Sequence, residues 1–333
     1  MTSRPPFPAV LDSTIMAAFK SCPTKSYLEF IQHWKLRDQS VHLHAGAAYA
    51  KGMEAARSAY YIGIEQVPYW RDELQKDGTI KKELHFAMKS CAAGVEDVAV
   101  AIGLRALLAL YGDFECPADS AKSAERTAGA LEFYFSHYRL GEDRAVPMTL
   151  PGGKRGIEFS FLEPIDLLHP ETGDPLLYSG RMDMMCSYEG MNLGEDDKTT
   201  SQLGASWPRQ WDLRSQFTGY VWGAARAGIK LDGFLVRGVS ILKTKYDTLQ
   251  AITYRPTWFI ERWYEQLLRD AKRMIAAWEE EYWDLNLDHA CAEYGGCPFR
   301  SVCQMRSPEA LLQQQFQRRK WNPVTRTETI IED

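Results

Sequence analysis

Residues 178–200, YSGRMDMMCSYEGMNLGEDDKTT, constrain the fold of this chain more than any other stretch. Aromatic and apolar residues dominate 177–187, and residues 189–192 supply the chemistry of a tight turn before a second short run. Two runs joined by such a turn are typical of a β-hairpin. We therefore expect a pair of antiparallel strands here, with the other elements arranged around them.

The second strand of this hairpin carries charged residues at successive positions. Side chains two residues apart in a strand share a face. Asp196 and Lys198 are therefore expected to point to one side of the strand, and Glu195 and Asp197 to the other. Asp183 on the partner strand joins the first pair if the register allows it. Two carboxylates and one ammonium group then converge.

This group of side chains suits the hydrolysis of a phosphodiester bond. Carboxylate oxygens are ligands for Mg²⁺, which usually takes only one or two of them and keeps water and substrate phosphate in its other positions. A coordinated water is acidified and can attack phosphorus. Lys198 would orient that water or offset the developing negative charge. The alternative is a surface hairpin whose acidic residues are simply hydrated.

Composition narrows the setting without deciding the function. The 333 residues carry a formal net charge of −5, so contact with nucleic acid must come from a local basic patch or from metal ions. The amino-terminal segment lacks the apolar run of a signal peptide, and no run of about 18 apolar residues occurs. We expect a cytoplasmic protein without membrane contact.

Other elements predict an α/β protein with a helical insert. Two helical stretches, 83–110 and 118–138, contain no catalytic group of side chains, and an amphipathic helix spans 256–281. Four parts are expected, namely an amino-terminal helical part, a helical insert, an α/β core, and a cysteine-rich end. Their bounds are 1–81, 82–140, 141–285 and 286–333.

Acidic and imidazole side chains near the amino terminus are further candidates. The alanine-rich residues 45–62 predict a helix that contains Glu54. Glu54 is either an additional acidic group near the metal or a hydrated helix carboxylate. His42 and His44, just before this helix, are either metal ligands or loop histidines with ordinary hydrogen-bond partners.

Polar residues on both sides of the hairpin complete the candidates. Glu158 points away from the apolar side of a strand within 152–162 and either adds a carboxylate to the site or is hydrated at an edge. Gln216 and Tyr220 are four residues apart on a predicted helix, hence on one face. Together they either hold a phosphate or a base edge beside the metal or form an ordinary interior contact. Lys243 and Lys245 are candidates for contact with a DNA backbone.

Four of the seven cysteines form a pattern. Cys291, Cys297 and Cys303 are separated by five residues each, and Cys22, which precedes a proline as Cys297 does, is the natural fourth ligand. This four-cysteine group would join the two ends of the chain. Thiolates suit Zn²⁺ or an iron–sulfur cluster, and the absence of the C-x₂-C spacing of zinc sites favours the cluster. The alternative is unliganded core cysteines.

The order Asp183, then Asp196-x-Lys198, then Gln216-x-x-x-Tyr220, with one early and three late cysteines, resembles the RecB-type branch of the PD-(D/E)XK nuclease superfamily. It is especially similar to phage and prophage exonuclease-like members and to the iron–sulfur nucleases of CRISPR adaptation and double-strand-break repair. The resemblance spans most of the chain, least within 82–140. It implies a restriction-endonuclease-like core, which is a mixed central β-sheet flanked by helices.

The same resemblance implies roles for the candidate residues. Asp183 and Asp196 would bind Mg²⁺ or Mn²⁺, Lys198 would be the catalytic lysine, and Gln216 and Tyr220 would support substrate binding. The four-cysteine group would hold a 4Fe–4S cluster that stabilises the fold near the DNA path.

The sequence departs from the family pattern in two places. The family often places a metal-binding histidine four residues after a glycine in the early helix, but Ala50 follows Gly46 at that spacing. Glu54 or His44 would then substitute, or one metal would bind weakly. The family also commonly spaces its late cysteines as C-x₂-C-x₅-C, whereas the first gap here is five residues.

The resemblance implies a Mg²⁺- or Mn²⁺-dependent DNA exonuclease of phage recombination, replication or repair. Its expected partners are DNA and a recombination or single-strand-binding protein. Two alternatives remain. One is a nuclease-fold protein that binds DNA without cutting it, which Ala50 favours. The other is a structural zinc-binding protein.

Overall fold

A computed structural model of the chain describes residues 4–38, 40–74, 80–287, 289–292 and 296–331. Alternating apolar residues and turn chemistry divide much of it into strands. In chain order the strands are β1 (Val10–Asp12), β2 (Trp34–Leu36), β3 (Ile64–Leu74), β4 (Ile80–Ser90), β5 (Val146–Pro147), β6 (Ile157–Leu168), β7 (Pro175–Tyr188), β8 (Met191–Thr200), β9 (Gly233–Ile241), β10 (Tyr246–Tyr254), β11 (Phe316–Asn322) and β12 (Thr327–Ile330).

Helices occupy the stretches between these strands. A π-helical turn spans Tyr27–Ile31 and a 3₁₀ turn spans Pro208–Trp211. The α-helices are α1 (Ser13–Ser21), α2 (Pro23–Ser26), α3 (Val41–Tyr61), α4 (Glu96–Tyr111), α5 (Ala124–His137), α6 (Ser215–Arg226), α7 (Thr257–Glu279), α8 (His289–Ala292), α9 (Arg300–Cys303) and α10 (Glu309–Gln315).

A mixed sheet lies at the centre of the described part of the chain. Its path is β1, β7, β8, β9, β10, and β5 and β6 also pair with β7. Strands β7 and β8 form the predicted antiparallel hairpin, whereas β1 is parallel to β7 and β8 is parallel to β9. The expected α/β architecture with a mixed central sheet is therefore confirmed.

Helices flank this sheet in two apolar cores. Tyr178 of β7, Phe217 of α6 and Met274 of α7 belong to the larger core, in which α1 also packs. In the second core, α4 and α5 pack on α3, and this core extends to Val239 and Ile241 of β9. The two cores fix α6 and α3 relative to β8, which lies between them in the described structure.

One predicted helix is wrong at its start. The expected helix over 83–110 begins only at Glu96. Residues 83–90 belong instead to β4, which pairs with β3 from Ile64↔Ser90 to Leu74↔Ile80. Helix propensity is a weak local signal, and here the cross-strand pairing of a long hairpin determines the structure. Leu84, Phe86 and Met88 do recur every two residues in β4, but the helix-forming residues around them favoured the helix prediction.

The two ends of the chain meet in a small sheet. Strand β11 pairs with both β12 and β2. Leu28 and Trp34 from the amino-terminal part share an apolar cluster with Phe299 and Phe316. Among the residues that the structure describes, no helix combines the length and the apolar character needed to cross a membrane.

Candidate active site

Asp183 and Asp196 lie where β7 and β8 separate. The last paired residues of the two strands are Met184 and Glu195, whereas β8 stays paired with β9 beyond this point. The Asp183 carboxylate accepts a hydrogen bond from the backbone N–H of Asp197 at 3.2 Å. The separation therefore opens a gap between the strands, with one carboxylate on each of them.

Lys198 binds the second of these carboxylates. Its ammonium group contacts Oδ2 of Asp196, and its side chain is 31% exposed whereas that of Asp196 is only 5% exposed. Burial raises the pKa of Asp196 to about 6, with Lys198 opposing the shift and the Asp183 carboxylate adding to it. Burial alone would lower the pKa of Lys198, but the Asp196 and Asp183 carboxylates raise it. The lysine is therefore held as a cation beside two acids.

Glu158 of β6 joins this group from the other side of β7. The pairs Ile157↔Met184 and Phe159↔Met182 place it opposite Asp183, and its φ of 52° is unusual for a residue with a side chain. Oε2 of Glu158 lies 3.0 Å from Nε of Arg181. Burial and the nearby Asp183 carboxylate raise the pKa of Glu158 to about 8, although Arg181 opposes the shift.

Glu54 reaches the same region from α3. It accepts hydrogen bonds from Nζ of Lys51 at 2.8 Å and from Nε2 of Gln66 at 2.5 Å. Its charge contributes to the raised pKa of Glu158. The two acidic residues predicted as additional site groups, Glu54 and Glu158, thus lie within electrostatic range of each other.

Gln216 and Tyr220 approach the gap from α6. Nε2 of Gln216 donates a hydrogen bond to the Tyr220 hydroxyl at 2.8 Å, as predicted from their spacing. Burial raises the pKa of Tyr220, and the charges of Asp196 and Lys198 also act on it. A Cβ on Gly180 would lie 2.8 Å from the Tyr220 ring, so glycine at this position allows α6 to approach β7.

Arg326 fills part of the gap from the carboxyl-terminal turn. Its Nη1 donates to the Tyr220 hydroxyl at 2.8 Å and to the carbonyl oxygen of Arg181 at 3.1 Å. Although burial opposes the shift, Tyr220 and Asp183 raise the pKa of Arg326. A guanidinium group therefore pairs with the β7 backbone next to the carboxylates.

The opposite side of β8 carries a buried ionic network. Arg57 of α3 donates to Oε1 of Glu195 at 2.5 Å and to Oδ2 of Asp197 at 2.7 Å. Arg237 of β9 lies 3.6 Å from the Glu195 carboxylate, and the Tyr134 hydroxyl donates to it at 3.2 Å. Burial raises the pKa of Asp197 to about 6, although Arg57 opposes the shift. The predicted division of β8 into two charged faces is confirmed.

His42 and His44 lie within α3 rather than in a loop before it. Nε2 of His44 lies 2.8 Å from the carbonyl oxygen of Tyr111, and its ring stacks on Phe114 with a centroid distance of 4.1 Å. His44 is thus engaged in packing between α3 and α4. Of the two alternatives that the sequence allowed, the contacts of His44 match a histidine with ordinary hydrogen-bond partners.

The four-cysteine group lies at the junction of the chain ends. Cys22 is buried and all four thiols are free. The backbone N–H of Cys297 donates to the carbonyl oxygen of Cys291 at 3.2 Å. Burial raises the pKa of the Cys303 thiol, and Cys297, Cys22 and Cys291 add to the shift. The four sulfurs are therefore within electrostatic range of one another.

The donor chemistry bears on which metals fit. Among the described residues, no three His, Cys, Asp or Glu side chains are gathered closely enough to hold a metal ion. Mg²⁺ needs only one or two carboxylates from the protein, so Asp183 and Asp196 are sufficient in kind and number. The thiols are of the type that binds a thiolate-held metal or cluster.

Basic residues of this region, among them Arg57, Arg181 and Arg326, were missed by sequence reasoning. Arg57 lies one turn after Glu54 on the same helix, so its proximity to β8 could have been considered once α3 was placed there. Arg181 lies two residues before Asp183, which is a local signal. Arg326 has no local signal because its position depends on how the carboxyl-terminal strands return to β7.

Comparisons with known proteins add little to this geometry. Solved structures with some similarity include that of the protein SSO0001, with a TM-score of 0.23 and 14% identity over 36% of this chain and 48% of that one. This chain thus spans about half the length of SSO0001. A protein from Eubacterium rectale, described as a candidate exonuclease, has a TM-score of 0.44 and 12% identity over 85% of this chain and 87% of its own. No family model matches the chain, and no curated protein matches it.

Proposed function

We propose that this protein hydrolyses phosphodiester bonds in DNA with the help of Mg²⁺ or Mn²⁺, as an exonuclease of phage recombination, replication or repair. The observation that carries the proposal is the convergence of Asp183, Asp196 and Lys198 at the gap between β7 and β8. Two carboxylates beside a partly exposed cationic lysine match what metal-assisted phosphodiester hydrolysis requires.

The raised pKa values support a cation site. Burial and the nearby Asp183 carboxylate raise the pKa of Asp196 to about 6 and that of Glu158 to about 8. A nearby divalent cation favours the charged form of both groups and relieves their mutual repulsion. Asp183 and Asp196 would hold the ion, with Glu158 and Glu54 as further acidic groups. The ion, when bound, supplies Lewis acidity toward a phosphate oxygen and acidifies water.

The side chains of this chain supply the remaining requirements. The ammonium group of Lys198, fixed by Asp196, would donate a hydrogen bond to the attacking water or to a phosphate oxygen and offset the developing negative charge. Tyr220, fixed by Gln216 and Arg326, would donate its hydroxyl to a non-bridging phosphate oxygen. When Glu158 is engaged with the metal, the Arg181 guanidinium would be free of its partner and would contact the same substrate phosphate.

The four-cysteine group would hold a 4Fe–4S cluster, with Zn²⁺ as the alternative ion. The support for this proposal is that the four free thiols lie within electrostatic range of one another at the junction of the chain ends. Its role would be structural, because the cysteines belong to the region where the amino- and carboxyl-terminal parts share an apolar cluster.

The test is digestion of end-labelled single- and double-stranded DNA in Mn²⁺, with the wild type, Asp183→Asn and Lys198→Met. We expect the wild type to release nucleotides and each variant to lose about 10²-fold or more of the rate, the size of effect of removing one group that stabilises developing charge. Calorimetry should show that Asp183→Asn loses Mn²⁺ binding and that Lys198→Met retains it.

Two results would overturn the proposal. If the wild type binds Mn²⁺ and DNA without cutting either form of DNA, the non-cutting alternative is correct, as the alanine at position 50 would suggest. If the wild type cuts DNA and Lys198→Met cuts it equally fast, the activity does not belong to this site.

A further inference from the structure

A groove between α1 and the segment that leads into α6 concentrates positive charge. Its lining includes Lys20, Lys25, Arg209 and Arg214, with Glu29 as the acidic residue on its wall. The whole chain carries a formal net charge of −5, so this groove departs from the average surface. A local cluster of basic residues on an acidic protein indicates binding of an anion at that place.

The charges of the groove are available for a ligand. Glu29 is engaged by Lys35 at 2.5 Å, so its charge is already paired. In the described ranges, Lys25, Arg209 and Arg214 form no salt bridge. Arg209 and Arg214 are both exposed, so their guanidinium groups are free to contact a phosphate bidentately.

Two of the cations repel each other across the groove. Lys20 of α1 donates a hydrogen bond to Oγ of Ser215 at 3.4 Å. Burial lowers the pKa of Lys20; the Asp270 carboxylate opposes this shift, and the Arg214 charge adds a smaller lowering. An anion between Lys20 and Arg214 would remove this repulsion.

Gln216 connects the groove to the candidate active site. It lines the groove and donates to the Tyr220 hydroxyl at 2.8 Å, and Tyr220 lies within electrostatic range of Asp196 and Lys198. At the other end of the groove, the Lys25 charge acts on the Cys297 thiol. The basic groove thus has Lys25 within electrostatic range of the Cys297 thiol and Gln216 in contact with Tyr220 of the candidate site.

The exposed apolar side chain at the rim fits the same ligand. Leu213 is 79% exposed and lies in the groove lining beside Arg214. Nucleic-acid strands present bases and sugars beside each phosphate, so an apolar side chain next to cations contacts them favourably. A small inorganic anion has no apolar surface that could pack against Leu213.

We propose that this groove binds the phosphate backbone of one DNA strand and guides it to the gap between β7 and β8. The inference rests on the proposed function for the identity of the polyanion. Arg209 and Arg214 would contact successive phosphates, and Lys20 and Lys25 would extend the path toward the four-cysteine group. Binding through phosphates carries no base specificity.

The test is fluorescence anisotropy of a labelled single-stranded oligodeoxynucleotide in EDTA, repeated over a series of salt concentrations. The variant is Arg209→Ala with Arg214→Ala. Its matched control is Arg139→Ala with Arg144→Ala, which removes two equally charged side chains that are 55% and 74% exposed and lie outside the groove. Thermal unfolding of each protein checks that the fold is retained.

We expect the groove variant to bind about tenfold more weakly or worse, and the control to bind as the wild type does. The slope of log affinity against log salt should shrink by about 1.4, since each phosphate contact on a single strand contributes about 0.7. Equal affinity and equal slope in the groove variant and the control would overturn the proposal.

The failure of this inference can be told apart from the failure of the proposed function. If the wild type does not cut DNA but the groove variant loses DNA binding, the groove proposal stands and the nuclease proposal falls. If the wild type cuts DNA and the groove variant binds and cuts it equally well, the groove proposal falls alone. Duplex DNA of equal length, used as a second probe, shows whether a free strand is preferred.

Discussion

Glu158 shows how one residue responds to the whole site. The pairs on either side of it in β6 and β7 place it opposite Asp183, while Arg181 offers it one cation at 3.0 Å. Burial and Asp183 raise its pKa to about 8. Near neutral pH this carboxyl group is therefore largely protonated unless a further cation is present, which links its charge to metal binding.

This linkage gives a pH dependence with a definite sign. Between the ordinary glutamate pKa of 4.5 and the folded value of about 8, the folded protein binds more protons than the unfolded chain at Glu158. The stabilisation is thus fully present below 4.5 and is lost as pH rises through 8. Relative to Glu158→Gln, the free energy of unfolding of the wild type should fall by on the order of 2 kcal/mol across this pH range. One pKa unit corresponds to about 1.4 kcal/mol, and screening by solvent reduces the full effect.

Urea unfolding followed by tryptophan fluorescence at several pH values in EDTA measures this loss. Saturating Mn²⁺ should abolish it, because a bound divalent cation favours the ionised carboxylate. The exposed Glu189→Gln serves as the control, with a pH profile that matches the wild type. Parallel profiles for the wild type and Glu158→Gln in EDTA would contradict the prediction.

At the scale of single residues, the two-residue period of a strand was sufficient to predict which charges share a face. Lys198 contacts Asp196, and Glu195 and Asp197 both bind Arg57 on the other side. Arg326 could not be predicted, because no local pattern indicates that a turn 143 positions after Asp183 reaches the β7 backbone.

Strand β8 is the element on which both faces of the site depend. One face presents Asp196 and Lys198, and the other is fastened to α3 by Arg57, which is 3% exposed. The two carboxylates bound by Arg57 are 0% and 2% exposed. An ionic network this deeply buried is stable only while every charge has its partner.

Removal of Arg57 should therefore be severely destabilising. In Arg57→Met, Glu195 and Asp197 keep their burial and lose their shared cation, which should cost about 3–5 kcal/mol of unfolding free energy. Adding Glu195→Gln and Asp197→Asn to Arg57→Met removes the uncompensated charges, so this triple variant should recover part of the loss. Chemical unfolding midpoints of the single and triple variants measure both effects.

The exposed Arg139→Met is the control for loss of an arginine side chain, and its stability should remain within about 0.5 kcal/mol of the wild type. A triple variant less stable than Arg57→Met would show that the carboxylates find other partners.

At the scale of elements, sequence patterns predicted the β7–β8 hairpin, α6 and α7. They missed β4, because its helix-forming residues outweighed the alternation of Leu84, Phe86 and Met88, and its pairing with β3 is a contact that no local pattern indicates.

At the scale of the whole molecule, the chain ends meet beside the site. Strand β11 pairs with β2, Trp321 of β11 donates to the Asp12 carboxylate at 2.9 Å, and Arg326 reaches Tyr220. The cysteine spacing predicted that the ends would be joined, but it could not indicate that Arg326, between β11 and β12, would reach the β7 backbone. That placement depends on long-range packing alone.

A metal or cluster on the four-cysteine group should therefore control the order of the carboxyl-terminal region and, through Arg326, the site itself. Cys297→Ser should lose the bound iron and sulfide, or zinc, and hydrogen exchange should rise in β2 and β11 while β7, β8 and β9 stay protected. The reason is that the apolar cluster around Phe299 and Phe316 is small, whereas the sheet belongs to a much larger core.

Cys116→Ser, a change outside the group, should retain the metal and the wild-type exchange pattern. If Cys297→Ser loses its metal and β2 and β11 remain as protected as before, the ends are held by their packing alone and the cysteines do not support the site.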